Sequence, residues 1–182
     1  MRSILISIKP KWVAKILNGE KTIEIRKTCP EIFKHLKPYE GCSIDVYIYC
    51  TKSDYLGYIS NRYIGKVVAK FTLNKVEEIK LPYTKFGCSK WVGCEEERTL
   101  QTQTMNEETL LEKSCLEKDE IYGYLNFKHS PDNVGYAWCI SNLVIFDKPK
   151  ELNEFIQSKR KNYEEPQVQK APQSWCYVEA LL

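Results

Sequence analysis

The first 26 residues alternate between strand-like and helix-like patterning, and this short unit constrains the fold more than any other part of the chain. Residues 4–8 alternate apolar and small polar side chains and predict a strand. A helix is predicted to begin at Pro10, because a missing N–H costs nothing at a first helical position. This helix carries one apolar stripe: Trp12, Val13, Ile16 and Leu17. Gly19 suits the left-handed position that follows a helix, and residues 22–26 then predict a second alternating strand.

The remainder of the chain predicts more strands than helices. Runs rich in β-branched and aromatic residues predict four further strands: 44–50, 65–79, 136–146 and 173–178. The second of these is long enough to require a bend or a bulge. Helical patterns predict three further helices: one from a capping box at 104–107 to residue 115, one over 121–125, and one that begins at Pro149. We therefore expect an α+β fold, a small mixed β-barrel flanked by short helices, in a single domain over residues 1–182 with an irregular insertion at about 82–105.

The composition is that of an ordinary globular protein. Hydrophobic residues make up 43% of the chain and charged residues 28%, with a net charge of only +3. Binding to a nucleic acid would therefore require a local basic patch rather than the bulk charge of the molecule. We expect a soluble cytoplasmic protein without a membrane contact, because there is no signal-peptide pattern and no apolar run approaches the ~18 residues of a membrane span.

The eight cysteines are scattered and include no Cys-x-x-Cys pair. Several lie inside apolar runs, where a free cysteine behaves as a small hydrophobic residue. We expect reduced thiols, no metal and no cofactor. The alternative is a zinc site that uses Cys88, Cys94, Cys115 or His129, although the short ligand spacing typical of such sites is lacking.

The second predicted strand carries the charged residues that point to function. Because side chains alternate along a strand, Ile23 and Ile25 face one side while Glu24 and Arg26 face the other. Lys21, which leaves the preceding turn, can bend over the same face. A carboxylate, an ammonium and a guanidinium at one place suit the binding of a phosphate or a base edge, or general acid–base chemistry. The alternative is a solvated strand face with weak ion pairs.

The motifs Ser7-Ile8-Lys9-Pro10-x-Trp12 and Gly19-x-Lys21-x-x-Glu24-x-Arg26, together with the helix between them, resemble the ASCH domain, a relative of the PUA domain. The resemblance is densest over residues 3–28. It implies a PUA-like barrel with a cleft beside the second motif. It also implies that an RNA, nucleoside or nucleotide ligand binds there, with a regulatory role, through Lys21, Glu24 and Arg26.

The resemblance leaves open a hydrolase that acts in the same cleft. Some small bacterial relatives hydrolyse the acetyl amide of N4-acetylcytidine with a lysine, a threonine and a later glutamate, and other members are proposed to cleave RNA. Lys21 matches the lysine, but Glu24 stands where the threonine would be, and Thr22 is offset by two residues. The later glutamate would be Glu77 or Glu78. If the protein is an enzyme, Lys21 and Glu24 are the expected catalytic residues.

Three further residues are candidate ligand contacts. Lys9 belongs to the first motif, and Trp12 could either pack in the core or form a wall of the cleft. Trp91, near Lys85 and Lys90, could stack on an unpaired base or pack under its own loop. The basic residues 158–161 could contact a phosphate or end a solvated helix. A protein-interaction domain without a nucleotide ligand is a third interpretation, and the sequence does not predict the oligomeric state.

Overall fold

The computed structural model describes residues 2–34, 41–53, 57–82, 99–157 and 167–179. Seven strands in these ranges form one mixed sheet: β1 (Arg2–Ile8), β2 (Ile23–Arg26), β3 (Ile44–Cys50), β4 (Val67–Ile79), β5 (Gly135–Lys150), β6 (Ile156–Gln157) and β7 (Trp175–Glu179). Four short α-helices lie between them: α1 (Pro10–Leu17), α2 (Glu31–Lys34), α3 (Glu107–Ser114) and α4 (Lys118–Leu125). Single 3-10 turns occur at Asn61–Tyr63 and Leu152–Glu154. The predicted α+β class is confirmed.

The sheet is open, and the expected closed barrel is not formed. The strand order is β2-β5-β4-β3-β1-β7-β6. The pair of β1 and β3 is parallel, and the other neighbouring strands are antiparallel. Closure would require β2 to pair with β6, and no such ladder exists in the described ranges. These are the two edge strands of the order, and the described part of each is short: four residues in β2 and two in β6.

The two longest strands are bulged, as predicted for the 65–79 run. The register between β4 and β5 shifts at three places, and the register between β3 and β4 shifts once, between Ile48 and Tyr49. Bulges bend a strand and increase its twist. The bent β4–β5 pair contributes to three separate apolar clusters along its length.

Two apolar clusters enclose β2. Helix α1 places Val13 and Ile16 in the larger cluster, against the centres of β1, β3 and β4 and beside Trp138. The second cluster joins Ile23 and Ile25 to buried residues of α3 and α4: Leu110, Ile121 and Leu125. The predicted inward face of β2 is therefore covered by α3 and α4. Its charged face lies on the side of Trp138, the residue paired with Glu24.

Two predicted helix positions are wrong. Pro149 lies within β5 rather than at the start of a helix, and only the 3-10 turn and β6 follow it. The N-cap of α3 is Asn106, whose side chain accepts a hydrogen bond from the Thr109 amide, rather than Thr104. Thr104 instead donates its hydroxyl to Glu77, and this partner outcompetes the local cap. Most of the 82–105 insertion lies outside the described residues. No helix within the described ranges of the chain is long and apolar enough to cross a bilayer.

The turn after α1 has the predicted conformation. Gly19 has φ = +83°, and its amide donates to the Ile16 carbonyl. The Lys21 amide donates to the Lys15 carbonyl at 2.9 Å. This turn therefore fixes the direction in which Lys21 leaves the helix.

We expect Gly19→Ala to lower the free energy of unfolding by about 1–2 kcal/mol, because a Cβ disfavours the left-handed conformation. The position has open space around it, so the cost is conformational. The matched control is Gly123→Ala, which lies in α4, also has open space and lacks a positive φ. It should raise stability by about 0.5–1 kcal/mol. Urea denaturation of both variants checks the prediction, and equal effects would contradict it.

Candidate ligand-binding site

Three charged side chains form a buried cluster at the end of β2, which we call the ion-pair cluster: Lys21, Glu24 and Arg26. The Lys21 Nζ lies 3.3 Å from Oε2 of Glu24, and an Arg26 terminal nitrogen (Nη2) lies 3.0 Å from Oε1. No more than 10% of any of these side chains is exposed. Glu24 therefore bridges two cations, and the cluster has a net charge of +1. The alternative of a solvated strand face is wrong.

Both cations also have neutral acceptors. Lys21 donates to the Ser114 carbonyl, the last residue of α3, at 2.7 Å. This position is favourable because the carbonyl end of a helix carries partial negative charge. Arg26 donates to the Ser7 carbonyl at 2.8 Å and to the Ser174 hydroxyl at 3.3 Å. The cluster therefore joins β2 to α3, to β1 and to the segment before β7.

A cleft of about 470 Å³ opens over the ion-pair cluster. The cluster forms its floor, and Trp12 and Tyr124 contribute aromatic walls. The remaining lining is mostly polar: Ser7, Ile8, Lys9, Ile25, Thr51, Ser53, Leu116, Glu120 and Gln173. A concave site of this size with a few convergent polar groups is typical of small-ligand sites.

Trp12 has both of the roles that its sequence position allows. Its ring packs against the larger apolar cluster and also lines the cleft. The ammonium groups of Lys11 and Lys21 lie 4.3 Å and 5.4 Å from its ring centroid. Lys9 also lines the cleft, at an exposed position. The structure thus brings five of the six proposed ligand contacts together.

Tyr124 is the cleft residue that the sequence interpretation missed. It lies in the helix predicted over 121–125, to which no cleft role was given, yet 41% of the residue is exposed and it lines the cleft. Partial burial raises the pKa of its hydroxyl, which the nearby Arg26 guanidinium opposes, so the group remains a hydrogen-bond donor at neutral pH. The available signal was the spacing of Glu120 and Tyr124, since residues four apart share one face of a helix.

One donor in the cleft floor is unused. The Nε–H of Arg26 is buried and has no hydrogen-bond partner among the described residues. Such a group costs about 1–3 kcal/mol when it stays unsatisfied. A ligand oxygen that reached it would recover part of this cost.

The other candidates either lie outside the described residues or are described away from the cleft. Trp91, Lys85, Lys90, Cys88, Cys94 and residues 158–161 lie outside the described residues. Thr22 is exposed, and neither it nor Glu77 or Glu78 lines the cleft. Within the part of the chain that the structure describes, no three His, Cys, Asp or Glu side chains are grouped as a metal site would require.

Comparisons with known proteins bear on the fold. Neither protein-family models nor curated proteins match the sequence. Among solved structures, a tyrosine-to-phenylalanine mutant of the ASCH protein from Zymomonas mobilis matches with a TM-score of 0.51 at 15% identity, over 97% of this chain and 90% of that one. A serine-to-alanine mutant of the same protein matches with a TM-score of 0.50, also at 15% identity, over 97% and 88%. The chain has an ASCH-like fold. The two motifs therefore indicated an ASCH-like fold correctly, although the sheet of the described strands is open and the barrel that the resemblance implied is not formed.

Glu77 has a structural role in this ASCH-like domain. It is fully buried on β4, where it pairs with Lys75 at 2.7 Å and accepts a hydrogen bond from the Thr104 amide at 2.9 Å. Burial alone would raise the pKa of Glu77, but its hydrogen bonds to Lys75, Thr102 and Thr104 together hold the pKa at about 2. The carboxylate therefore fastens the segment before α3 to the sheet.

The depressed pKa predicts an acid-sensitive fold. A carboxylate whose pKa is lower in the folded state contributes stability above its unfolded pKa, near 4.5, and loses it as the pH falls toward 2. The contribution is about 3 kcal/mol, at 1.36 kcal/mol per pKa unit. Urea denaturation from pH 6 to pH 2 should show this loss in the native protein and a flatter profile in Glu77→Gln. Parallel profiles would contradict the assignment.

The ion-pair cluster predicts unequal costs for its members. Glu24→Gln leaves two buried cations without their counter-charge and should lower the free energy of unfolding by about 3–5 kcal/mol. Lys21→Met leaves the Glu24–Arg26 pair balanced and should cost less, about 1–3 kcal/mol, mainly for the unpaired Ser114 carbonyl. The double variant should lose less free energy of unfolding than the two single losses added together, because the two side chains interact.

The control for this comparison is the exposed pair of Lys15 and Glu20, whose charged atoms lie 3.1 Å apart. The matched changes Lys15→Met and Glu20→Gln should alter stability little, because water screens exposed pairs. Denaturation midpoints of both sets check the prediction. Equal costs for Glu24→Gln and Lys21→Met would show that the carboxylate does not bridge the two cations.

Proposed function

We propose that this ASCH-like domain binds RNA, or a nucleoside or nucleotide derived from it, in the cleft over Lys21, Glu24 and Arg26. One observation carries the proposal: a buried cluster with a net positive charge and two aromatic side chains line the same cavity. Nucleic-acid ligands combine anionic or carbonyl oxygens with flat rings, and a cleft with both features suits them.

The floor of the cleft is suited to oxygen atoms. Arg26 uses its terminal nitrogens for Glu24, Ser7 and Ser174, its guanidinium lies near the Tyr124 hydroxyl, and its Nε–H is buried without a partner among the described residues. A guanidinium binds phosphate or carbonyl oxygens with more geometric specificity than an ammonium does. Lys9 adds a second cation at an exposed position in the lining. We therefore assign the phosphate or a base carbonyl to the Arg26 side of the cleft.

The walls are suited to a base. Trp12 and Tyr124 offer aromatic surface, and exposed aromatic rings stack on unpaired bases. Glu24 can contribute specificity as well. Each of its oxygens makes one ion pair, and a carboxylate has about four lone-pair sites, so it can also accept a base amino group. These contacts support recognition of an unstacked nucleotide rather than of a double helix.

The contacts favour a binding module over the hydrolase alternative. Both oxygens of Glu24 are held in ion pairs, which opposes a role as a base that takes a proton. Of the two later glutamates that the hydrolase alternative suggested, Glu77 is buried in its own hydrogen bonds and Glu78 pairs with Lys80, and neither lines the cleft. A binding and regulatory role therefore remains our first hypothesis for Lys21 and Glu24.

Arg26→Ala should weaken binding of a short single-stranded RNA by about 10- to 100-fold, the effect of losing a charge-assisted hydrogen bond. It should also reduce the slope of log affinity against log salt concentration by about 0.7, the value for one phosphate contact on a single strand. Arg26→Lys should retain the salt slope, because the positive charge remains. It should lose affinity, because an ammonium lacks the planar, forked set of N–H donors of a guanidinium. Fluorescence anisotropy between 50 and 200 mM salt measures both quantities.

The matched control is Lys148→Ala, an exposed lysine of β5 that does not line the cleft. Its affinity and slope should equal those of the native protein. If a folded Arg26→Ala variant bound the RNA with unchanged affinity, Arg26 would not be part of the binding site. Turnover of N4-acetylcytidine that Lys21→Ala abolishes would instead establish the hydrolase.

A further inference from the structure

A second cavity has lining residues that directly follow those of the cleft along the chain. It has a volume of about 490 Å³ and lies between the end of β2 and the start of β7. Its lining includes three aromatic residues, Tyr136, Trp175 and Tyr177, and two lysines, Lys27 and Lys34. Glu31 also lines it and pairs with Lys34 at 2.7 Å, so Lys27 supplies the net positive charge. It therefore repeats the combination of cations and aromatic side chains that characterises the cleft.

The chain passes directly from one cavity to the other at two places. Arg26 lines the cleft and Lys27 lines the second cavity, and the same holds for Gln173 and Ser174. The partition between the cavities is held by hydrogen bonds: Arg26 donates to the Ser174 hydroxyl at 3.3 Å, and the Ser7 amide donates to the Ser174 carbonyl at 2.9 Å. The two cavities are therefore adjacent chambers separated by a thin wall.

Trp175 gives the second cavity a fixed aromatic surface. Its indole nitrogen donates to the Thr28 hydroxyl at 2.9 Å, and its ring packs edge-to-face against Tyr177, with centroids 5.4 Å apart. Trp175 is nevertheless only half-buried and lines the cavity. An aromatic side chain that is already held in place loses little conformational entropy when a base stacks on it.

Lys27 lies at the junction of the two cavities. It lines the second cavity, while its ammonium group is 5.2 Å from the ring centroid of Tyr124, which lines the cleft. The side chain is exposed. A cation at this position would face the phosphate of a strand that has one base in each cavity.

The thiol in the second cavity does not suggest chemistry. Burial raises the pKa of Cys29 to about 11, with Lys34 opposing the rise, so the thiol is neutral near pH 7. A neutral thiol is a poor nucleophile. The cavity is therefore suited to binding rather than to reaction.

From the shared wall, the fixed indole and the junction lysine, we infer that the second cavity is a subsite for the neighbouring nucleotide of a single-stranded RNA. The ligand of the domain is then an RNA of at least two nucleotides, with one base in the cleft, the next beside Trp175, and the connecting phosphate near Lys27. This inference rests on the proposed function of the cleft.

The test compares mononucleotides with single-stranded tetranucleotides of each of the four bases. The native protein should bind the best tetranucleotide about 10- to 100-fold more tightly than the matching mononucleotide, because a further base and a further phosphate are bound. Lys27→Ala should remove most of this gain and leave mononucleotide affinity unchanged. Trp175→Leu should do the same, with its fold checked by circular dichroism, and Lys27→Ala provides the result if Trp175→Leu does not fold.

The controls are Lys148→Ala and Tyr58→Ala, which change an exposed lysine and an exposed tyrosine that line neither cavity. Mononucleotide binding that needs Arg26, without a gain for the tetranucleotide, would overturn the second subsite and leave the proposed function intact. Tetranucleotide binding that needs Trp175 but not Arg26 would overturn the proposed function of the cleft. It would also overturn the inference that one RNA strand occupies both cavities. Failure of every nucleotide to bind would overturn both.

Discussion

The bridging of two buried cations by Glu24 is the interaction on which the site depends. Charges removed from water destabilise a fold unless they are paired and their remaining donors are satisfied. Here Lys21 is satisfied by Ser114, and Arg26 by Ser7 and Ser174. Because these partners belong to α3, to β1 and to the segment before β7, the cluster does more than neutralise charge. It sets the positions of the elements that surround the cleft, and the cleft therefore has its shape before a ligand arrives.

The two faces of β2 separate support from function. Ile23 and Ile25 pack under α3 and α4, while Glu24 and Arg26 lie in the floor of the cleft. Rigid support behind a polar face keeps functional side chains in place at little cost on binding. The ASCH-like fold applies this division to a strand of only four residues. A short strand is sufficient here because β5 pairs with it along its whole length, from Ile23 with Cys139 to Arg26 with Tyr136.

Local patterns predicted the N-terminal strand–helix–strand unit well. The spacing of its apolar residues, Pro10 and Gly19 all indicate the same helix between two strands. The alternation of residues 22–26 also predicted which side chains converge. It did not predict that the charged face is buried, since that depends on distant partners such as Ser7 and Ser174. The barrel was wrong because closure depends on whether the two edge strands of the sheet pair with each other, which no local pattern reveals. Pro149 was misassigned because a proline can also sit in a strand where its ladder partner is irregular. Tyr124 was missed because the spacing of residues along α4 shows which of them share a face of the helix. It does not show that this face borders the cleft.

The hydrogen bond from Arg26 to Ser174 joins residues 148 positions apart. Contacts of such long range form late, since the intervening chain must be ordered first. During synthesis on a ribosome, β1, α1 and β2 emerge early, yet the wall of the cleft that contains Gln173 and Ser174 arrives only with the segment before β7. The ladder partner of β2 is β5, which also emerges late, so the cleft is among the last features of the chain that can form.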